Sequence, residues 1–141
     1  LRTIEEKIDA FLLHDAIGEL WEFVGGVNKV IDVEQPWTLA KAAKAGDADA
    51  ASRLALVLGD VLEACRLVGL AVAPFMPGAA PRILEQLGYA YPYGEDGNGG
   101  PPLRDELTWG AHAGEPGRVI ETPAPIFPRL ESEVAEGPAG A

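Results

Sequence analysis

The chain has 141 residues, enough for one compact domain and short for two, and its 48% hydrophobic and 23% charged residues are an ordinary globular balance. Eleven Lys and Arg against 22 Asp and Glu give a formal net charge of -11, which excludes a basic nucleic-acid-binding surface, so that any such contact must be local, through stacking and hydrogen bonds to bases. No apolar run is long enough to span a bilayer, Cys65 has no partner for an internal disulfide, and LRTIEEKIDAF lacks the features of a secretory signal, so the expected setting is the cytoplasm with no membrane partner.

In chain order, Leu1, Ile4, Ile8, Phe11 and Leu12 share one side of a short amphipathic helix, with Glu5, Glu6, Lys7 and Asp9 opposite. The pattern is already helical at Leu1, which reads as a piece of a longer protein. A second helix starts near His14 and Asp15 and carries Ile17, Leu20, Trp21, Val24, Val27 and Ile31 at helical spacing. Asn28 falls on that stripe, so its amide is expected to act as a structural staple, bonded to backbone groups where a neighbouring element turns. Gly25 and Gly26 cost roughly 1 kcal/mol each relative to Ala, which predicts another helix passing closely there. Pro36 ends the run, because the residue before a proline is pushed out of the α region.

TLAKAAKAGDADA predicts a helical turn or two and a loop at Gly46. The longest helix follows, capped by Asp47 or Asp49, with Leu54, Val57, Leu58, Val61, Cys65 and Val68 on its stripe and Arg53, Asp60, Glu63 and Arg66 outside it, ending before Pro74. Residues 74–88 predict a turn and a short helix, with Pro81 in its first turn and Gly88 as its C-terminal cap. From Tyr89 to Leu107 the Tyr, Pro, Gly and acidic residues predict a long surface loop, followed by an extended arm with apolar pieces at Val119–Ile120 and Ile126–Phe127.

Nothing in the chain predicts catalysis. His14, Asp15, Glu19 and Glu22 do not form an H-E-x-x-H pair and read as a solvated helix face, against a metal-dependent hydrolase. The Asp96–Gly100 loop starts like a calcium loop, but Pro101 replaces the turn glycine and Leu107 the bidentate glutamate. Cys65 reads as a core thiol, His112 has no partner in the sequence pattern, and neither a phosphate-cradling loop nor a nucleophile elbow occurs. Trp109, in ELTWG, has two readings: an indole open for stacking, or one that pins the arm to the bundle.

Taken together, Trp21-Glu22-Phe23, Asn28 with KVID after it, Pro36-Trp37 leading to Lys41, Pro74 to Pro77, Ile83-Leu84, Leu87-Gly88, Leu107-Thr108-Trp109 and IFPRLE at 126–131 resemble, in order and spacing, the anticodon-binding domain of methionyl-tRNA synthetases. The resemblance covers the chain to about residue 131. It implies an all-α helical bundle of the class I aminoacyl-tRNA synthetase type at 1–88, a loop and irregular arm folding back at 89–131, and a disordered tail at 132–141. Asn28, Pro36 and Trp37 become an architectural signature, with the Trp37 ring under the bundle and Lys41 near the surface, and Trp109 becomes the residue that stacks on an anticodon base of tRNA(Met).

The resemblance further implies that the base-reading Asn and Arg lie on a helix before Leu1, leaving an uncovered apolar strip on the bundle. The catalytic domain with its H-I-G-H and K-M-S-K-S signatures, which would bind ATP and methionine, is likewise expected outside these residues, so this chain is expected to hold no cofactor or metal and to be inactive alone. The alternative is a stand-alone acidic helical module that docks on a protein partner.

Overall fold

The computed structural model describes residues 2–94, 99–112, 120, 122 and 124–128. Residues 95–98, which hold most of the calcium-like loop, and the tail at 132–141 lie outside the described residues. All regular elements among the described residues are helices: α1 (Arg2–Asp9), α2 (Leu13–Glu34), α3 (Pro36–Lys44), α4 (Ala48–Ala71), α5 (Ala80–Gln86) and α6 (Leu103–Glu106).

The frame is the pair of long helices α2 and α4. Glu34 at the end of α2 pairs with Arg53 near the start of α4, through a 2.9 Å bond to the Arg53 Nε, while Leu20 near the start of α2 joins Leu67 and Leu70 near the end of α4. The two therefore run antiparallel. Helix α3 packs on α4, α1 on α2, α5 on α4, and α6 touches α1 and α4.

Local chemistry sets the ends. Gln35 adopts a left-handed conformation (φ 45°) that closes α2 and opens α3, and Pro36 occupies the first turn of α3, where its missing N–H costs nothing. Asp47 caps α4, accepting a 2.9 Å bond from the Ala50 N–H. Pro81 lies in the first turn of α5. The helix closes with Gly88 at φ 75°, the Gly88 N–H bonded to the Glu85 carbonyl and the Tyr89 N–H to the Leu84 carbonyl, which is the paired Schellman closure.

The core gathers at one end of the long pair, from Ile4, Ala16, Leu20, Leu67, Leu70, Ala71, Val72, Ala80, Leu84 and Leu107. Ile4, Leu70 and Leu84 are almost wholly buried, each worth roughly 1.5–3 kcal/mol relative to exposure. Helices of 8 and 7 residues do not persist alone in water, so this burial, more than propensity, maintains α1 and α5. Tyr89, Tyr91, Tyr93 and Leu103 pack against the same cluster, so much of the stretch expected as a surface loop is a partly buried layer with one helical turn. Aromatic rings supply enough apolar area to dock that segment without regular structure.

Other expectations are corrected. Phe11 is 89% exposed and Leu12 50%, because the chain turns out of α1 at Phe11 with φ 59° and takes both off the stripe. Trp37 is 58% exposed on the first turn of α3, whose half-buried positions are Pro36, Leu39, Ala40, Ala42 and Ala43. Lys41 is exposed, in line with expectation. Among the described residues no helix passes over Gly25 and Gly26: a Cβ at either would meet nothing within 4 Å. The tight glycine is Gly69, where a Cβ would stand 2.9 Å from Ile83 Cγ2 and 3.1 Å from Leu84 Cδ2, so its lack of a side chain sets the approach of α5 to α4. Gly69→Ala should therefore destabilise by about 1–3 kcal/mol, whereas Gly25→Ala should stabilise by about 0.5–1 kcal/mol, both read from urea unfolding followed by helical circular dichroism. A neutral Gly69→Ala would contradict the close α4–α5 contact.

Candidate functional site

Trp109 follows α6 in a turn whose preceding residue but one, Leu107, is buried in the core. The indole is 53% exposed and borders a cavity of about 160 Å³ shared with Val27, Val30, Asp60, Val61 and Ala64. It is therefore neither entombed nor free: one part rests near α2 and α4, the other is open to a planar ligand.

What fixes this turn is a charged group inside the protein. Arg66 is 1% exposed, although the helical spacing put it outside the stripe of α4. Its Nε donates to Glu63 Oε2 at 2.8 Å and its Nη2 to Glu63 Oε1 at 2.7 Å, a two-pronged pair one turn apart on the same helix. Nη1 donates to the Glu106 carbonyl at 2.8 Å, and Nη2 also to the Thr108 carbonyl at 3.1 Å. Glu63 Oε1 in turn accepts the Gly110 N–H at 2.8 Å. The Tyr89 ring lies 5.9 Å from the guanidinium carbon, within cation–π range.

Burial pushes the Glu63 carboxyl up, but the bonds from Arg66 and the Gly110 N–H outweigh it and leave the group below its ordinary value. For Arg66, burial acts to lower the pKa, and the Glu63 bond and charge reverse it, so the guanidinium stays charged. His112, for which the sequence offers no partner, places Nε2 3.1 Å from Glu106 Oε2 and its ring edge-on to Tyr89 at 5.6 Å. Burial, reinforced by the charge of Glu106, pushes the Tyr93 hydroxyl up to about 12.

The architectural residues fall elsewhere. Asn28 is exposed and, among the described residues, its amide has no hydrogen-bond partner, so the expected staple to a neighbouring turn is not formed by them. It stands in the wall of an apolar groove of about 210 Å³ with Val24, Val27, Ile31, Val61, Ala64, Cys65, Val68 and Ile83. An amide at the rim keeps its water, which removes the need for an internal partner. Pro36 and Trp37 lie at the α2–α3 joint, outside the linings of both the groove and the Trp109 cavity. Cys65 faces the groove and burial raises its thiol pKa, the setting of an inert thiol. Among the described residues, no three His, Cys, Asp or Glu side chains assemble as a metal site, and no helix is long and apolar enough to cross a membrane.

Glu63 and Arg66 are the residues that helical spacing missed. A signal was present: Leu67 to Ala73 is apolar without a break, so the end of α4 has no solvent face, and a charge at its edge must be buried and paired.

Two long antiparallel helices, with α1, α5 and α6 gathered at one end and α3 packed on α4, form an all-α bundle, the architecture expected for the class I aminoacyl-tRNA synthetase anticodon-binding type. No protein-family model and no solved structure matches the chain. Among curated proteins it is 32% identical over 140 residues to methionine–tRNA ligase 1 of Bacillus anthracis, covering 95% of this chain and 18% of that protein. It is 38% identical over 87 residues to methionine–tRNA ligase of Caldanaerobacter subterraneus subsp. tengcongensis, covering 62% and 13%. For methionine–tRNA ligase of Mycobacterium tuberculosis the figures are 30% over 131 residues, 93% and 22%. The chain belongs to the methionine–tRNA ligase family, and it spans about a fifth of the length of the relatives that match nearly all of it.

Two predictions follow from the charged cluster. Arg66→Met should lower stability by roughly 2–4 kcal/mol in urea unfolding, since Glu63 and two carbonyls lose their donors, and Arg66→Lys should not restore it because an ammonium lacks the fork. A carboxylate held below its ordinary value contributes stability that is fully present above that value and is lost as pH falls through the folded one. The Glu63 contribution should thus be complete above the ordinary value of 4.5 and decline progressively as pH falls further, and Glu63→Gln should remove that component of the acid profile, leaving the parts due to Glu19 and Glu34. An acid profile identical in Glu63→Gln would contradict the assignment.

Proposed function

We propose that this chain is the part of a methionine–tRNA ligase that recognises the anticodon of tRNA(Met), with Trp109 stacking on an anticodon base. The observation that carries the reading is the half-open indole beside α2 and α4, its backbone bonded on both sides to side chains of α4. Stacking suits an acidic chain: a π-face offers contact to a base without a phosphate-binding surface, which a net charge of -11 disfavours. In this reading the bundle is a spacer of fixed shape, holding the anticodon while the acceptor end reaches a distant reaction centre. ATP and methionine belong to the catalytic domain of such a ligase, which is the second partner of this chain, and the setting is the cytoplasm where translation takes place.

One observation favours a different reading. The apolar groove between α2 and α4, together with the exposed Trp21 and Val33, suits an acidic helical module that docks on another protein. Mutagenesis separates the two. Stacking contributes about 1–3 kcal/mol per base, so Trp109→Ala in the complete ligase should lower kcat/KM for tRNA roughly ten- to a hundredfold while leaving methionyl-adenylate formation unchanged. Unaltered aminoacylation kinetics would overturn the stacking assignment and favour the docking module.

A further inference from the structure

Resting on the reading of Trp109 as the stacking residue, we infer that Glu63 and Arg66 are its positioning residues, a clamp on α4 that presents the indole to the RNA base. The Thr108 carbonyl belongs to the peptide plane before Trp109, and the Gly110 N–H to the plane after it. Arg66 Nη2 binds the first at 3.1 Å and Glu63 Oε1 binds the second at 2.8 Å. Both planes that define the Trp109 backbone are therefore attached to one helix, by two side chains that are also bonded to each other. The Glu106 carbonyl, one residue before the buried Leu107, is held by Arg66 Nη1 at 2.8 Å and fixes the approach to the turn.

The argument is one of order. Residues 107–112 have no helix or strand of their own, and a free segment would pay roughly 1–2 kcal/mol per residue to hold a single backbone conformation when a base arrives. The clamp settles that conformation before the ligand is present, which is how preorganisation raises affinity without adding a contact to the ligand. Its reference is the 24-residue α4, which also carries Asp60, Val61 and Ala64 beside the indole, so ring and cavity wall keep their spacing.

The test has two arms. In this chain with Trp21→Phe and Trp37→Phe, Trp109 is the one remaining indole. Its time-resolved fluorescence anisotropy should show a restricted ring, and Glu63→Ala should release it, with Glu63→Gln, which retains one acceptor, intermediate. Helical circular dichroism shows that each variant is folded, and should Glu63→Ala not fold, Glu63→Gln carries the comparison. In the complete ligase, Glu63→Ala should lower kcat/KM for tRNA at least fivefold, mainly through KM, with adenylate formation unchanged. In a Trp109→Ala background the same change should cost less than twofold more, because a clamp without its indole has nothing to present. An indole equally restricted in folded Glu63→Ala or Glu63→Gln overturns the clamp. A Glu63 effect that persists in full without Trp109 overturns the positioning role, and a Trp109→Ala ligase with normal tRNA use overturns the stacking reading itself.

Discussion

A guanidinium sealed inside a small helical protein is costly unless nearly every N–H finds an acceptor, and Arg66 meets that condition with acceptors from two separate parts of the chain. Its hydrogen-bonded carboxylate partner is local, one turn back on α4, a second carboxylate, Glu106, stands 3.9 Å from Nη1, and its carbonyl partners lie 40 and 42 residues onward. The same cation therefore neutralises a half-buried Glu63 and fastens the turn at Thr108 to Gly110 to the longest helix among the described residues. Without it, Glu106 and Thr108 would lose a donor apiece and Gly110 would face a carboxylate free to swing away. The turn at Trp109 takes its place from that junction, with the Tyr89 ring within cation–π range of it.

The rest of the bundle is arranged around an uneven core. Apolar side chains converge where α1, α5 and α6 meet the ends of α2 and α4, and the middle of the long pair is left with an open groove. Close approach is concentrated in the same region: Gly69 lets α5 reach α4, whereas Gly25 and Gly26 face open space and weaken α2 without a packing return. The closely packed end of the long pair is thus the one that carries Arg66, and the groove and the Trp109 cavity share Val27, Val61 and Ala64 as a common wall.

Features governed by a few neighbouring residues were legible in the sequence. The Asp47 cap, Pro36 and Pro81 in first turns, Gly88 closing α5 and the turn at Gly46 all depend on backbone chemistry within one helical turn, which the residues themselves announce. Features governed by distant partners were not. Periodicity treats each helix as having one wet face, so it put Arg66 outside, though the end of α4 is covered all round. It likewise put Phe11 and Leu12 inward, because a stripe says nothing about where the chain turns, and the resemblance put the Trp37 ring under the bundle although α3 leaves it exposed. For the candidate site, Trp109 was legible as an aromatic off any stripe, while the two side chains that hold its turn became visible only when 63 and 66 met 106–110 in space.

The grip on the Trp109 turn is on main-chain atoms, a carbonyl before the residue and an amide after it, and not on the indole. Whatever side chain occupies position 109 is consequently delivered to the same spot. Mounting and working face are separate parts: the ring could be exchanged for another flat group over evolutionary time without rebuilding the socket, whereas a change at the socket would misplace every ring fitted to it.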